Sequence, residues 1–212
     1  MAKKTLSQEA YEQIKQNLEE GKYQGYINGR QVARDLNIGF TPVREAFLQL
    51  QSEGLIRKVD NVGYFVNRVE LEELIQIFQV RECIEMYVWN QAFDKITEVE
   101  IEKMKALHAQ EKELFQQGIL REYTKTDIKL HGVILDFFGN EDLKNLYYNV
   151  RQRYMLCPVK TVKQASVAAM EEHDQWIAYV EARDKEKALG YLQQHINNTK
   201  TRMKEGFITF LE

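Results

Sequence analysis

Five side chains stand out for chemistry. Asp127 and His131 lie four apart, so on a helix their side chains share one face. His173 and His195 fall in two later segments that also carry helical patterns. A carboxylate and three imidazoles, drawn from three helices of a bundle, can converge on one divalent cation. Such nitrogen and oxygen ligation suits Zn²⁺ or Ni²⁺, and Mn²⁺ or Fe²⁺ can be accommodated. The competing reading makes each histidine an ordinary surface or hydrogen-bonded core residue, and spacing alone leaves both readings open. The fifth is His108.

The second group is Arg30, Thr41 and Arg44, with the turn Asn61–Gly63 behind them. A helix led by Thr41 offers a hydroxyl and free backbone N–H groups to a phosphate. Arg44, one turn in, carries a planar fork that can address guanine O6 and N7 together. Arg30 can reach the backbone or groove floor from the preceding helix, and the tip at Asn61 and Gly63 can approach the minor groove. The alternative is that these arginines are solvated charges on short helices.

Both groups need elements to position them. Tyr11, Ile14 and Leu18 recur at helical spacing, and Gly21 ends that helix. Arg30 to Leu36 forms a second short helix, interrupted by Asn37-Ile38-Gly39. Thr41 is expected as N-cap of a third helix with Pro42 at its first position; Val43, Ala46, Phe47 and Leu50 form its buried face, and Gly54 ends it. Leu55–Val59 and Tyr64–Val69 read as two strands joined by a turn at residues 60–63. That order is a winged helix-turn-helix, whose second helix enters the major groove of double-stranded DNA.

From Glu70 onward amphipathic helices follow one another, at 71–94, 97–117, 120–138, 141–156, 163–182 and 185–205, with Pro158 the one proline among them. The predicted fold is mainly α: an N-terminal winged helix-turn-helix over residues 1–68 and a C-terminal all-α helical bundle over 71–212. Phe78, Tyr87, Trp89 and Phe93 can build either the bundle core or a dimer face.

Composition narrows the class. Of 212 residues, 44% are hydrophobic and 29% charged, an ordinary globular balance. The start MAKKTLSQEA has no apolar run behind its lysines, so no secretory signal is expected, and no stretch has the roughly 18 apolar residues of a membrane span. Cys83 and Cys157 are far apart and read as two buried thiols in a reducing cytosol, giving a cytoplasmic expectation. Residues 1–68 hold ten Lys and Arg against eight Asp and Glu, while the whole chain carries −3, so the head is basic and the body acidic. One metal with three histidines and a carboxylate also describes hydrolases and oxygenases. The chain contains no H-E-x-x-H, no phosphate loop and no evident general base beside the ligands, so no enzyme is expected.

The run GRQVARDLNIGFTPVREAFLQLQSEGLIRKVDNVGYFV resembles the winged helix-turn-helix of the GntR family of bacterial regulators, over most of residues 8–68. The resemblance implies that Arg30, Thr41, Arg44 and the wing tip contact operator DNA. One departure stands out: the family has Ser or Thr followed by Arg just before the Thr-Pro pair, and this chain has Gly39-Phe40.

Residues 71–207 resemble the FCD domain of the FadR-like subfamily, through VRECIEMYVWNQA, DIKLHGVILDFFGN and EEHDQWIAYVEARDKEKALGYLQQHI. The resemblance implies that Asp127, His131, His173 and His195 bind a divalent metal; His108 matches no ligand position and is read as surface. The full ligand set sets the chain apart from the acyl-CoA-binding branch and implies a small organic acid as effector. Arg81 is then a candidate partner for its carboxylate, unless it pairs with Glu85 on the helix surface. A homodimer is the expected working form; repressor and activator are both open, with family habit favouring a repressor. A regulator responding to the metal itself is the alternative.

Overall fold

In the computed structural model, residues 4–157 and 159–211 are described, with backbone only for 159, 160 and 209–211; Pro158 lies outside the described residues. The chain divides into two compact units, Met1–Arg68 and Val69–Glu212.

In the first unit, α1 (Leu6–Glu19) starts at Thr5, whose hydroxyl accepts from Gln8 N while the Gln8 side chain accepts from Thr5 N. Its buried face, Ala10, Ile14 and Leu18, packs on α3 (Phe40–Ser52) through Val43, Ala46, Phe47 and Leu50. The short α2 (Gly29–Asp35) begins at Asn28, whose side chain accepts from the N–H groups of Arg30 and Gln31. The sheet has the order β1 (Tyr26–Ile27), β3 (Gly63–Val66), β2 (Ile56–Val59), all antiparallel. Strand β1 was not expected; two residues carry too little alternation to register in the sequence.

The start of α3 differs from the expectation. Gly39 is the N-cap and provides no side-chain bond, so Thr41 is the second helical residue and Pro42 the third. The turn after α2 passes through the left-handed region at Asn37, with φ of 53°, and the chain re-enters the helix two residues early. Pro42 fits because N–H groups in a first helical turn have no carbonyl partner within the helix. At the wing tip Asn61 has φ of 60° and Gly63 φ of 142°. A Cβ at Gly63 would stand 2.7 Å from the Tyr26 ring, so backbone and packing both require glycine there.

The second unit contains α4 (Leu71–Ala92), α5 (Glu98–Gln116), α6 (Leu120–Phe138), α7 (Glu141–Arg153), α8 (Val159–Glu181) and α9 (Lys185–Leu211), with single 3₁₀ turns at Phe93–Lys95 and Tyr154–Leu156. Thr97 and Glu100 form a capping box at the head of α5. Gly139, left-handed at φ of 75°, ends α6, and Asn140 caps α7 by accepting from Leu143 N.

The core runs through all six helices, centred on Trp89 and Trp176, whose rings meet edge to face at 5.2 Å. Phe78, Trp89 and Phe93 belong to this core, whereas Tyr87 is exposed. Cys157 is buried but Cys83 is exposed, contrary to the expectation of two buried thiols, and both are free. Among the described residues no helix is long and apolar enough to cross a membrane.

Candidate metal centre and nucleic-acid interface

The buried stripe of α4 explains how charge enters the bundle. Leu74, Ile77, Phe78, Arg81, Ile84, Glu85, Val88, Trp89 and Ala92 follow the three-and-four spacing of a helix face packed inward. Arg81 and Glu85 occupy two of those inward places. They pair as the i, i+4 spacing suggests, Arg81 Nε donating to Glu85 Oε1 at 2.8 Å. The pair is not on the helix surface, however: Arg81 is 2% exposed and Glu85 is fully buried. Burying either charge alone would be costly, and the pairing offsets that cost.

Helices α6, α8 and α9 bring His131, His173 and His195 to the same place, and all three are buried. His131 Nε2 lies 3.0 Å from His173 Nε2, which lies 3.3 Å from His195 Nε2. Nitrogens bound to one ion at about 2.0–2.1 Å stand about 2.8–3.4 Å apart along the edges of an octahedron or tetrahedron. Asp127 Oδ1, one turn before His131, is 3.8 Å from the Nε2 of both His131 and His173. Its other oxygen accepts from Arg151 Nη2 at 2.6 Å, which leaves Oδ1 facing the histidines.

Each imidazole is held from behind by a carboxylate. His131 Nδ1 donates to Glu85 at 3.0 Å, His173 Nδ1 to Glu111 at 3.2 Å, and His195 Nδ1 to Glu172 at 2.8 Å. Glu172 is in turn gripped by both terminal nitrogens of Arg202. With the proton on Nδ1, a neutral imidazole offers its lone pair at Nε2. Several such lone pairs crowded together repel unless a positive centre sits among them. The donor set and its tautomers therefore fit a divalent cation. Arg81 Nη2 also reaches this point, 2.8 Å from His131 Nε2 and 3.4 Å from His195 Nε2.

Electrostatics point the same way. Burial, reinforced by the Arg81 charge, pushes His131 well below its ordinary value, and burial pushes His195 down to about 4. Both imidazoles are neutral at pH 7. For His173 burial pulls down, but the Glu111 carboxylate outweighs it and the net shift is upward. For Asp127 burial alone would raise the value; the neighbouring positive charges, those of Arg151 and Arg81 among them, overturn that and keep the carboxylate ionised.

A small cavity reaches the cluster at Arg81 and Asp127 and is lined by Tyr123, Thr124, Ser166 and Thr199 among others. As it stands it has room for about one water molecule.

His108 is not a surface residue. It is buried against Glu111, with Nδ1 at 3.0 Å from Glu111 Oε2 and Nε2 at 3.0 Å from Asp174 Oδ1. The helical stripe Ile101, Met104, His108, Glu111 carried that information. The same kind of signal, a charge at an inward position, marks Glu85, read on sequence only as a surface partner of Arg81, and Glu111, which was missed; Glu172, half-buried, was missed as well.

In the first unit, Arg30, Thr41, Arg44 and Asn61 are exposed and Gly63 is half-buried. Arg30 stands in the first turn of α2; Thr41 and Arg44 lie in the opening turns of α3. Among the described residues neither Arg30 nor Arg44 has a carboxylate partner. Phe40, where the family pattern has arginine, opens α3 and is 47% exposed.

Residues 6–66 match the family of bacterial regulatory proteins, gntR family, and residues 76–198 match the FCD domain. The chain is 25% identical over 193 residues to the HTH-type transcriptional regulator YdhC of Bacillus subtilis, covering 89% of this chain and 86% of that one. Among solved structures it resembles McbR/YncC of E. coli, with a TM-score of 0.78, 17% identity and coverage of 96% and 99%. It also resembles a GntR regulator of Rhodococcus sp. RHA1, with a TM-score of 0.80, 14% identity and coverage of 93% and 96%. These likenesses bear out the mainly α fold of a winged helix-turn-helix with a helical FCD domain, and the relatives are regulators rather than enzymes. The chain thus belongs to the FCD-containing gntR family of bacterial regulatory proteins and is a DNA-binding transcriptional regulator of that type.

Proposed function

We propose that the unit beyond Val69 holds a divalent cation on His131, His173, His195 and Asp127, with Zn²⁺ or Ni²⁺ the best match to the donors. A small carboxylate effector bound beside it controls operator affinity. The observation that carries the reading is the meeting of three Nε2 atoms, each ring backed at Nδ1 by a carboxylate. A bound cation would supply a Lewis-acidic positive centre for a carboxylate oxygen. Arg81 is the residue positioned to take the other oxygen, because its guanidinium already lines the adjoining cavity.

The DNA partner is read by Arg30, Thr41, Arg44, Asn61 and Gly63, the exposed groups of α2, α3 and the wing. A homodimer would set two α3 helices against half-sites about one helical turn apart. An effector that prefers one arrangement of the heads, by about 1–3 kcal/mol, changes operator affinity by the same amount. Repression in the cytoplasm, relieved by the effector, is the working form we favour.

Elemental analysis of the purified chain, paired with mobility shifts on its own upstream DNA with and without organic acids, tests this. About one Zn or Ni per chain is expected, and His173→Ala should abolish it. Trp176 stacks on His131 at 4.9 Å, so its fluorescence should report ion binding. A chain that takes up no ion, or an acid-insensitive complex, ends the corresponding half of the proposal. The small size of the cavity favours one second reading, in which the metal is itself the signal. Operator binding that follows metal concentration and ignores every acid would select it.

A further inference from the structure

Glu111 is fully buried, and among the described residues its carboxylate accepts hydrogen bonds from two imidazoles alone. Both bonds end on Oε2, and Oε1 has no partner. One imidazole is His173, the residue that Glu111 orients; the other is His108. The far nitrogen of His108 meets Asp174, whose two oxygens accept from Lys112 Nζ at 2.6 and 2.8 Å. A continuous chain of contacts therefore runs from an exposed ion pair, through His108 and Glu111, to Nδ1 of His173. Without His108, Glu111 keeps among the described residues only its bond to His173, so nothing independent would fix the carboxylate that orients Nδ1 of that ring.

We propose that His108 is a positioning residue of the metal centre: by anchoring Glu111 it holds His173 in the tautomer and orientation that aim Nε2 at the ion. This rests on the metal reading above. Groups that support a ligand in this way typically change metal affinity by about 10–100-fold when removed. The donor atoms of His108, Glu111 and His173 are also close enough together to be considered as a cation site of their own. That arrangement would need both nitrogens of His173 to bind metal and would strip the proton that Glu111 accepts. A single ion served by His108 at one remove uses the hydrogen bonds as they stand.

Cobalt(II) titrations of the full-length chain, followed by visible absorption, test the assignment. Three variants are compared with the unaltered chain. His108→Phe keeps the bulk and removes both nitrogens. His108→Asn sets an amide N–H near the position of Nδ1, facing Glu111; His108→Gln sets one near Nε2, facing Asp174. We expect the Phe and Gln variants to bind cobalt about tenfold more weakly with altered absorption bands, and the Asn variant to lie within about threefold of the unaltered chain. Should the Phe variant fail to fold, the contrast between Asn and Gln still decides. Equal affinities and identical spectra across the series would overturn the proposal, as would equal weakening by Asn and Gln, or uptake of two ions per chain with the second lost on His108→Phe. No cobalt uptake by the unaltered chain would instead sink the metal reading on which the proposal stands.

Discussion

The two units of this regulator handle charge in opposite ways. In the first, Arg30 and Arg44 stand in water at the heads of α2 and α3. In the second, Arg81, Glu85, Glu111, Asp127, Arg151 and three histidines are buried and linked to one another. Exposed charges cost little to leave unpaired, so a surface can hold them ready for a partner made of phosphates and bases. Buried charges must be satisfied before any partner arrives, which is why the interior cluster is already ordered. Binding at the first surface is therefore separable from stability, and binding at the second centre is not.

The largest test of that contrast is Arg151→Ala. It leaves the Asp127 carboxylate buried without its closest cation and should cost about 3–5 kcal/mol, read from the denaturant midpoint. A loss below 1 kcal/mol would mean the interior is far more forgiving than its burial suggests. Next is Arg44→Ala, expected to weaken operator binding by about 1–3 kcal/mol while stability changes by less than about 0.5 kcal/mol. Unaltered DNA affinity would remove Arg44 from the interface.

Acid provides a third test, in protein stripped of ions. His195 falls from its ordinary 6.5 to about 4 on folding, so between those values the unfolded chain binds a proton that the native chain refuses. Its contribution to stability is complete above 6.5 and is lost as the pH falls toward 4. His173 is shifted upward and works in the opposite sense, its contribution fading as the pH rises. The difference between the unaltered chain and His195→Gln isolates the first term: the midpoint of the unaltered chain should drop more steeply with acid over that window. Parallel curves would contradict the assignment.

The smallest effect is expected from Phe40→Arg, which restores the family's arginine at the exposed head of α3. Operator binding should tighten by roughly 1 kcal/mol and the slope of log affinity against log salt should steepen by about 0.9. Weaker binding would show instead that the Phe40 ring is itself part of the contact.

Much of this was legible in the chain alone. Strong local signals decided α3's apolar face, the Thr97–Glu100 box and the stop at Gly139, because capping and helical periodicity act within a few residues. Asp127 and His131 were paired by a single turn of helix. The start of α3 was misjudged by two residues, since the conformation at Asn37 and Gly39 and not the Thr-Pro pair decides where the helix begins. The supporting acids were overlooked for a different reason. A buried glutamate is indistinguishable from a solvated one until its surroundings are known, and the histidines that Glu85, Glu111 and Glu172 back lie 46, 62 and 23 residues away.

By itself the amino-acid sequence determined which helices form and where most begin, and it offered four side chains of a chemistry that can ligate a metal. Only the tertiary structure decided that the three histidines meet, that each is backed by a carboxylate, and that His108 belongs to the same network. Helix signals are local and add up along the chain. The cost of burying a charge is settled by whatever the packing of distant helices sets beside it.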